Sequence, residues 1–183
     1  MADMEILDFE KAHLEDKYPD FRNLMNEYRD GMLLFEISNR EVWEKASKDT
    51  EGLQKFFKKN RKKYKWDKPH YKGFLIQCFD AATADDIKNR IKELDDDSVI
   101  VVLNREFNTD SLTRVKVERG LFVEGDNEKI DELVFKGAPV KADEKLPIAF
   151  VSGKLLKKMP EAYTDVRGQV TADYQTYLEK VWV

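Results

Sequence analysis

The sequence holds a single cysteine, Cys78, only two histidines, His13 and His70, and eight glycines scattered along 183 residues. Each scarcity removes a class of chemistry. A lone cysteine excludes an internal disulfide framework and a multi-cysteine metal centre. Two histidines leave little room for imidazole-based metal sites or catalytic triads. The glycines form no Walker-type or dinucleotide-binding pattern. No apolar run approaches the roughly 18 residues that a membrane-spanning helix needs, so no stable membrane insertion is expected. Met1 to Glu5 has no basic start and no apolar stretch behind it, so the chain as written is expected to carry no secretory signal.

Charge and aromatic residues are abundant instead. Charged residues make up 37% of the chain, against roughly 25% in typical globular proteins. Eleven Phe, seven Tyr and three Trp nevertheless argue for a packed core rather than disorder. The net charge of −4 and a pI near 5.4 speak against nucleic acid as a partner. The length suits one domain or two small ones.

The chain divides into three stretches, 1–66, 67–156 and 157–183. The first is predicted to be all helical. Pro19 and Asp20 suit a first helical turn. Behind them Phe21, Leu24, Met25, Tyr28, Met32 and Phe35 recur every three or four residues, an amphipathic pattern. Ser38 and Asn39 are expected to cap a short helix carrying Val42, Trp43 and Ala46. Asp49 or Thr50 opens another helix, with Leu53, Phe56 and Phe57 on one side and a run of lysines and Arg61 from Lys55 to Lys65 on the other. That basic run could track phosphates or an anionic membrane, but its aromatics fall on one helical side, as in a solvated lysine face over a core.

The middle stretch is predicted to run strand, helix, helix, strand, helix, strand. Tyr71 to Phe79 reads as a strand. Thr83 with Asp86 resembles a capping box before Ile87, Ile91 and Leu94. Val99 to Leu103 is assigned to a helix, and Val115 and Val117 alternate with polar residues as in a strand. Gly120 and Gly125 are expected to punctuate a loop holding Leu121 and Phe122. Asn127 caps a short helix with Ile130, Leu133 and Val134 that Gly137 would end. Pro147 to Leu156 is the last strand. The third stretch is predicted to be one helix from about Pro160, with Tyr163, Val166, Val170, Tyr174, Tyr177 and Val181 on a stripe that packs back on the first stretch. No stop signal precedes Val183, as if the chain were cut within or near a helix. The fold class is therefore α+β: a helical arm, a small sheet with flanking helices, and a long closing helix.

Nothing here calls for a metal or cofactor. Cys78, in a strand beside Ile76 and Phe79, reads as a buried thiol. His70 opens the same strand about eight residues away, too far to activate it. Asp95, Asp96 and Asp97 lack the spacing and glycine of a calcium loop.

One region goes further. Val117-Glu118-Arg119-Gly120-Leu121-Phe122, then Gly125, then Ile130 to Phe135 and Gly137 resembles a parvulin-type peptidyl-prolyl isomerase, which shows a Gly-Asp-Leu-Gly-Trp-Phe run, a glycine and a short helix ending in Phe. Leu53 to Asn60, continuing to Tyr64, is similar to the helix leading into parvulin domains of SurA-like periplasmic chaperones. Tyr18 to Lys48 and the helix around Tyr163 to Val181 are similar to the helical chaperone segments of that architecture. The resemblance implies a periplasmic folding factor that acts on exported or outer-membrane proteins. This chain would be its carboxy-terminal part, with 1–66 as chaperone-like segment, 67–156 as parvulin-like domain and further domains upstream. Its partners would be unfolded or proline-containing polypeptides.

The departures from the family matter as much. Parvulins place a histidine in the first strand and another in the last. Here the first strand offers Gly73, Phe74 and Leu75, and the last Ala149, Phe150 and Val151. The family's Asp or Cys falls at Glu118, its pocket Phe at Ile130, and its pocket Met near Asp126 or Asn127. Prolyl isomerisation is slow because the amide resists twisting by about 18–20 kcal/mol. Its catalysis needs an apolar cup for the proline and groups that favour the twisted amide. The expectation is a degenerate domain that binds or scaffolds, with Glu118 as the one weak catalytic candidate. Phe122, Ile130, Phe135 and Phe150 are candidate substrate-binding residues, and Met25, Met32, Phe35 and Trp43 candidate client-binding residues. Competing expectations are an active isomerase with a reduced site around Glu118, and a protein–protein assembly module.

Overall fold

Helical spacing in the first sixty residues becomes a succession of helices in the computed structural model, which describes residues 2–182. The chain is α+β and divides into two units, Met1–Lys59 with Val166–Val183, and Asn60–Asp165.

In the helical unit, α1 (Ala2–Ala12) and the short α2 (Leu14–Lys17) lead to the long α3 (Pro19–Ser38). Pro19 occupies the first turn of α3 behind an extended Tyr18, where its missing N–H costs nothing. Ion pairs and backbone contacts fasten α3 to what precedes it: Arg29 pairs with Glu15, and Arg22 Nε donates to the Glu15 carbonyl at 2.7 Å. Ser38 and Asn39 do not cap a new helix, contrary to expectation. Both keep helical dihedrals, and the Asn39 N–H bonds the Phe35 and Glu36 carbonyls. The chain therefore runs on through a π-helical stretch (Asn39–Glu44) into α4 (Lys45–Lys48). Val42 and Ala46 point inward there and are fully buried.

Next come α5 (Thr50–Asn60) and, at the far end of the chain, α9 (Arg167–Trp182). The closing helix starts at Arg167, not near Pro160. Asp165 takes the amides of Glu161 and Ala162 at 2.8 and 3.0 Å and so closes a separate turn before the helix begins. Val170 and Tyr174 are buried where α9 packs on the π-helical stretch and α4. Tyr177 and Val181 of the same stripe stay exposed. Asp49 joins the two ends of the sequence: its Oδ1 accepts from the Gly52 amide at 2.8 Å, and its Oδ2 from the Tyr174 hydroxyl at 2.8 Å.

The second unit holds β1 (His70–Cys78), α6 (Ala81–Ile91), α7 (Val99–Phe107), β2 (Val115–Val123), α8 (Glu128–Leu133) and β3 (Ile148–Leu156). The sheet is antiparallel in the order β2-β1-β3. Central β1 is apolar on both faces because both are covered. On one, Phe74, Ile76 and Cys78 pack with Ala84 and Ile87 of α6 and Val99 and Leu103 of α7. On the other, Tyr71 and Leu75 pack with Phe122, Ile130, Val134 and Phe135.

Three local expectations need correction. Asp80, extended at φ −147°, caps α6 through Oδ1 accepting the Thr83 amide at 2.8 Å, so the helix opens before Thr83 rather than at it. Gly120, Leu121 and Phe122 lie inside β2, paired along β1, and only Gly125 sits in the turn. After α8, Lys136 takes the left-handed conformation at φ 60°, while the Gly137 amide bonds the Asp131 carbonyl at 2.8 Å.

Losing the Asp49 carboxylate removes a helix cap and a partly buried hydrogen bond at once. Asp49→Ala is expected to cost the helical unit about 1–2 kcal/mol, and Tyr174→Phe about 1 kcal/mol. Urea denaturation of the double variant should give less than the sum, because both changes delete the same bond.

Candidate functional site

Three glycines meet across the sheet. Gly73 of β1 stands opposite Gly120 of β2 on one side and Gly153 of β3 on the other. A Cβ at Gly73 would lie 2.4 Å from the Ser152 carbonyl oxygen and 2.9 Å from the Tyr71 hydroxyl. One at Gly153 would lie 2.3 Å from the Lys72 carbonyl oxygen and 2.8 Å from the Tyr71 hydroxyl, and one at Gly120 would lie 2.6 Å from the Phe122 ring. The row is thus a furrow that Tyr71 and Phe122 fill by lying over it, a use of strand glycine that permits close approach.

The Tyr71 hydroxyl is buried in this furrow and makes no hydrogen bond among the described residues. Burial pushes its pKa up to about 12. A buried hydroxyl without a partner is destabilising, so the ring's packing holds the group there at a cost.

The residues singled out for isomerase chemistry converge only in part. Phe122, Ile130 and Phe135 belong to one cluster with Tyr71 and Leu75. Phe122 and Ile130 are buried in it and line no open cup. Glu118 sits opposite Leu75 on the same sheet face but is exposed to solvent. Phe150 lies opposite Ile76, on the other face of the sheet, where it packs beside α6 with the Lys88 ammonium 5.3 Å from its ring centre. One strand position separates it from Val151, and in a pleated strand one position decides the face.

Cys78 is fully buried, its Sγ 3.7 Å from the Asp80 and Ile148 carbonyl oxygens, and burial raises its pKa. It is not a nucleophile in this setting. His70 stacks on Trp66, ring centres 4.0 Å apart, and its Nδ1 meets the Lys68 carbonyl at 3.0 Å. In the basic run, Leu53, Phe57 and Tyr64 are buried while the lysines face solvent.

The sheet face toward α6 and α7 carries a charged groove of about 550 Å³. Lys72 Nζ bonds Asp165 Oδ1 at 2.6 Å, Lys154 Nζ bonds Glu161 Oε1 at 2.6 Å, and Arg119 bonds Asp97 Oδ1 at 2.6 Å. These charges satisfy one another. Burial alone would raise the Asp165 pKa, but Lys72 and the amides of Ala162 and Glu161 outweigh it and hold the carboxyl below its ordinary 3.8.

Open apolar surface lies on α3, as on α1, where Met4, Ile6, Leu7 and Phe9 are exposed. The helix has no buried residue. Leu24, Tyr28, Met32, Leu33, Leu34 and Phe35 are each more than half exposed, Tyr28 at 62% and Phe35 at 60%. Among the client-binding candidates, Met32 and Phe35 are exposed and Met25 is half-buried. Trp43, 40% exposed, meets the Phe35 ring edge-on at 5.5 Å. Tyr28, Gly31, Met32 and Phe35 line a groove of about 800 Å³ with Glu27 and Glu36 at its rim. Gly31, Leu33 and Leu34 were not candidates. The run Leu33-Leu34-Phe35 was the available signal, because three successive apolar residues cannot share one helical face. Comparison with family models, with curated proteins and with solved structures finds no match for this chain.

Two titrations test this arrangement. Above pH 10 the unfolded chain loses its Tyr71 proton before the folded one, so stability should fall between pH 10 and about 12. Tyr71→Phe should reduce that slope, the remainder belonging to Tyr174, whose pKa burial and Asp49 also push up to about 12, and should leave the neutral-pH stability equal or higher, whereas Gly73→Ala should lower the stability by about 1–3 kcal/mol through backbone displacement. The Asp165 contribution is present above the carboxyl's ordinary pKa and is lost as pH falls through its depressed folded value. Thermal melts across pH 2–5 should lose that component in Asp165→Asn.

Proposed function

We propose that this chain is the client-binding part of a periplasmic folding factor of the SurA-like, parvulin-related kind, holding unfolded or proline-containing polypeptides through its helical unit and using the sheet unit as scaffold. The observation that carries the reading is α3, twenty residues long and bearing apolar side chains on several faces, with none of them buried. Contiguous exposed apolar surface marks interaction. Methionine and aromatic side chains suit a surface that adapts to many segments. Weak, broad contact of this kind keeps unfolded chains from aggregating without selecting one sequence.

The element order of the sheet unit, strand-helix-helix-strand-helix-strand, supports the parvulin relation. The filling of the face beside Glu118 by Tyr71, Phe122 and Ile130 favours a scaffold over an isomerase. With Phe122 and Ile130 buried, neither side chain is open to receive a proline beside Glu118.

The full chain should suppress aggregation of a chemically denatured outer-membrane protein on dilution. The triple variant Tyr28→Ser, Met32→Ser, Phe35→Ser should weaken suppression severalfold at an unchanged melting temperature, because these side chains are already exposed. Exchange spectroscopy on Xaa-Pro peptides should find no acceleration of cis–trans exchange. Undiminished suppression by the triple variant would refute the assignment to α3, and accelerated exchange lost in Glu118→Ala would restore the isomerase.

A further inference from the structure

The α3 groove has a charge as well as a shape. Residues 1–38 carry ten acidic and four basic side chains, a net charge of −6, while the whole chain carries −4. The acidity of the protein is therefore concentrated on the segment that exposes its apolar side chains. Two of the basic residues are engaged nearby, Arg29 with Glu15 and Lys17 with Glu10. Around the groove itself, Tyr28, Gly31, Met32 and Phe35 make the apolar lining. Glu27 and Glu36 stand at opposite ends, nine residues apart, which is roughly 13 Å of helix axis. Helical rotation also puts them on opposite edges of the apolar face. Glu36 is held by Arg40 at 2.6 Å, but both side chains are at least half exposed. Such a pair is worth little and exchanges readily.

We propose that the α3 groove selects apolar polypeptide segments bracketed by lysine or arginine. This inference rests on the proposal above that α3 holds clients, and it adds their charge pattern. An extended chain advances about 3.3 Å per residue, so cations about four residues apart reach Glu27 and Glu36 while the side chains between them enter over Gly31. The same charge disfavours the other occupants. A second copy of the arm would bring −6 against −6, and an anionic lipid surface would be repelled. Gly31 forms the floor of the groove, and a Cβ there would meet nothing within 4 Å. It is the position at which the groove can be filled without disturbing the fold.

The test uses the full chain and three fluorescein-labelled peptides with one Phe-Leu-Phe core, bracketed by Lys, by Ser or by Glu. Anisotropy titrations at low salt should rank them Lys, Ser, Glu, with the first about fivefold tighter than the second, as two exposed ion pairs imply. About 0.5 M NaCl should bring the three within about twofold, as should the double variant Glu27→Gln, Glu36→Gln, which keeps its affinity for the Ser peptide. Gly31→Trp should abolish binding of all three, with helicity by circular dichroism unchanged. Equal affinities, or a preference for Glu, together with loss in Gly31→Trp would overturn the charge rule and leave the client reading standing. Absence of binding, or binding indifferent to Gly31→Trp, would overturn both. A concentration-dependent dimer in sedimentation that Gly31→Trp dissociates would overturn the inference in favour of a second copy.

Discussion

The pairing of β1 with both of its neighbours constrains the sheet unit more than any single contact. Every residue from His70 to Cys78 has a partner on each side, so the strand has no free edge, and apolar clusters cover both of its faces. Where Gly73, Gly120 and Gly153 meet, the backbones leave a furrow that only flat aromatic rings fill. Tyr71 fills it at the expense of its own hydroxyl, which finds no acceptor among the described residues. Van der Waals contact over the glycine row outweighs one unsatisfied polar group. The same filling closes the face on which Glu118 stands.

The helical unit is organised around a different constraint. Its second half has a core: Val42 and Ala46 on one side, Val170 and Tyr174 on the other, with Asp49 joining residues 125 positions apart. Its first half has none. From α1 through α3 the chain is held by ion pairs and backbone hydrogen bonds at the surface. Such contacts are individually weak in water. On the proposed reading, the contrast between a packed anchor and an unpacked arm leaves the arm's surface available to a partner, since surface already buried is not.

These two constraints divide the labour. The sheet unit packs apolar residues against both faces of its central strand, and its charged groove is neutralised by its own lysine, arginine and carboxylate pairs. The arm has kept both apolar surface and unbalanced negative charge. A reading in which the sheet scaffolds and the arm binds follows from where burial and charge neutralisation have been completed and where they have not.

The order of elements was legible in the residues. Apolar runs, a period of three to four, Pro19 before α3 and Asn127 before α8 each act within a few residues, and local interactions dictate local structure. The candidate site was legible only in part. Phe122, Ile130 and Phe135 were recognised as apolar and do cluster, but their burial against Tyr71, and the turn of Phe150 to the opposite face, depend on strand register. Register is settled by the combined burial of all three strands, where a shift of one residue exchanges the faces. Likewise Tyr28, Met32 and Phe35 were visible as a stripe. Whether a stripe is core or surface depends on whether another element arrives to cover it. For α9 one does, and for α3 none does among the described residues. The sequence by itself determined the elements and the charge of the arm, since both are sums over neighbouring residues. Only the tertiary structure decided which apolar faces close and which stay open, because that outcome belongs to pairs of elements and not to either one alone.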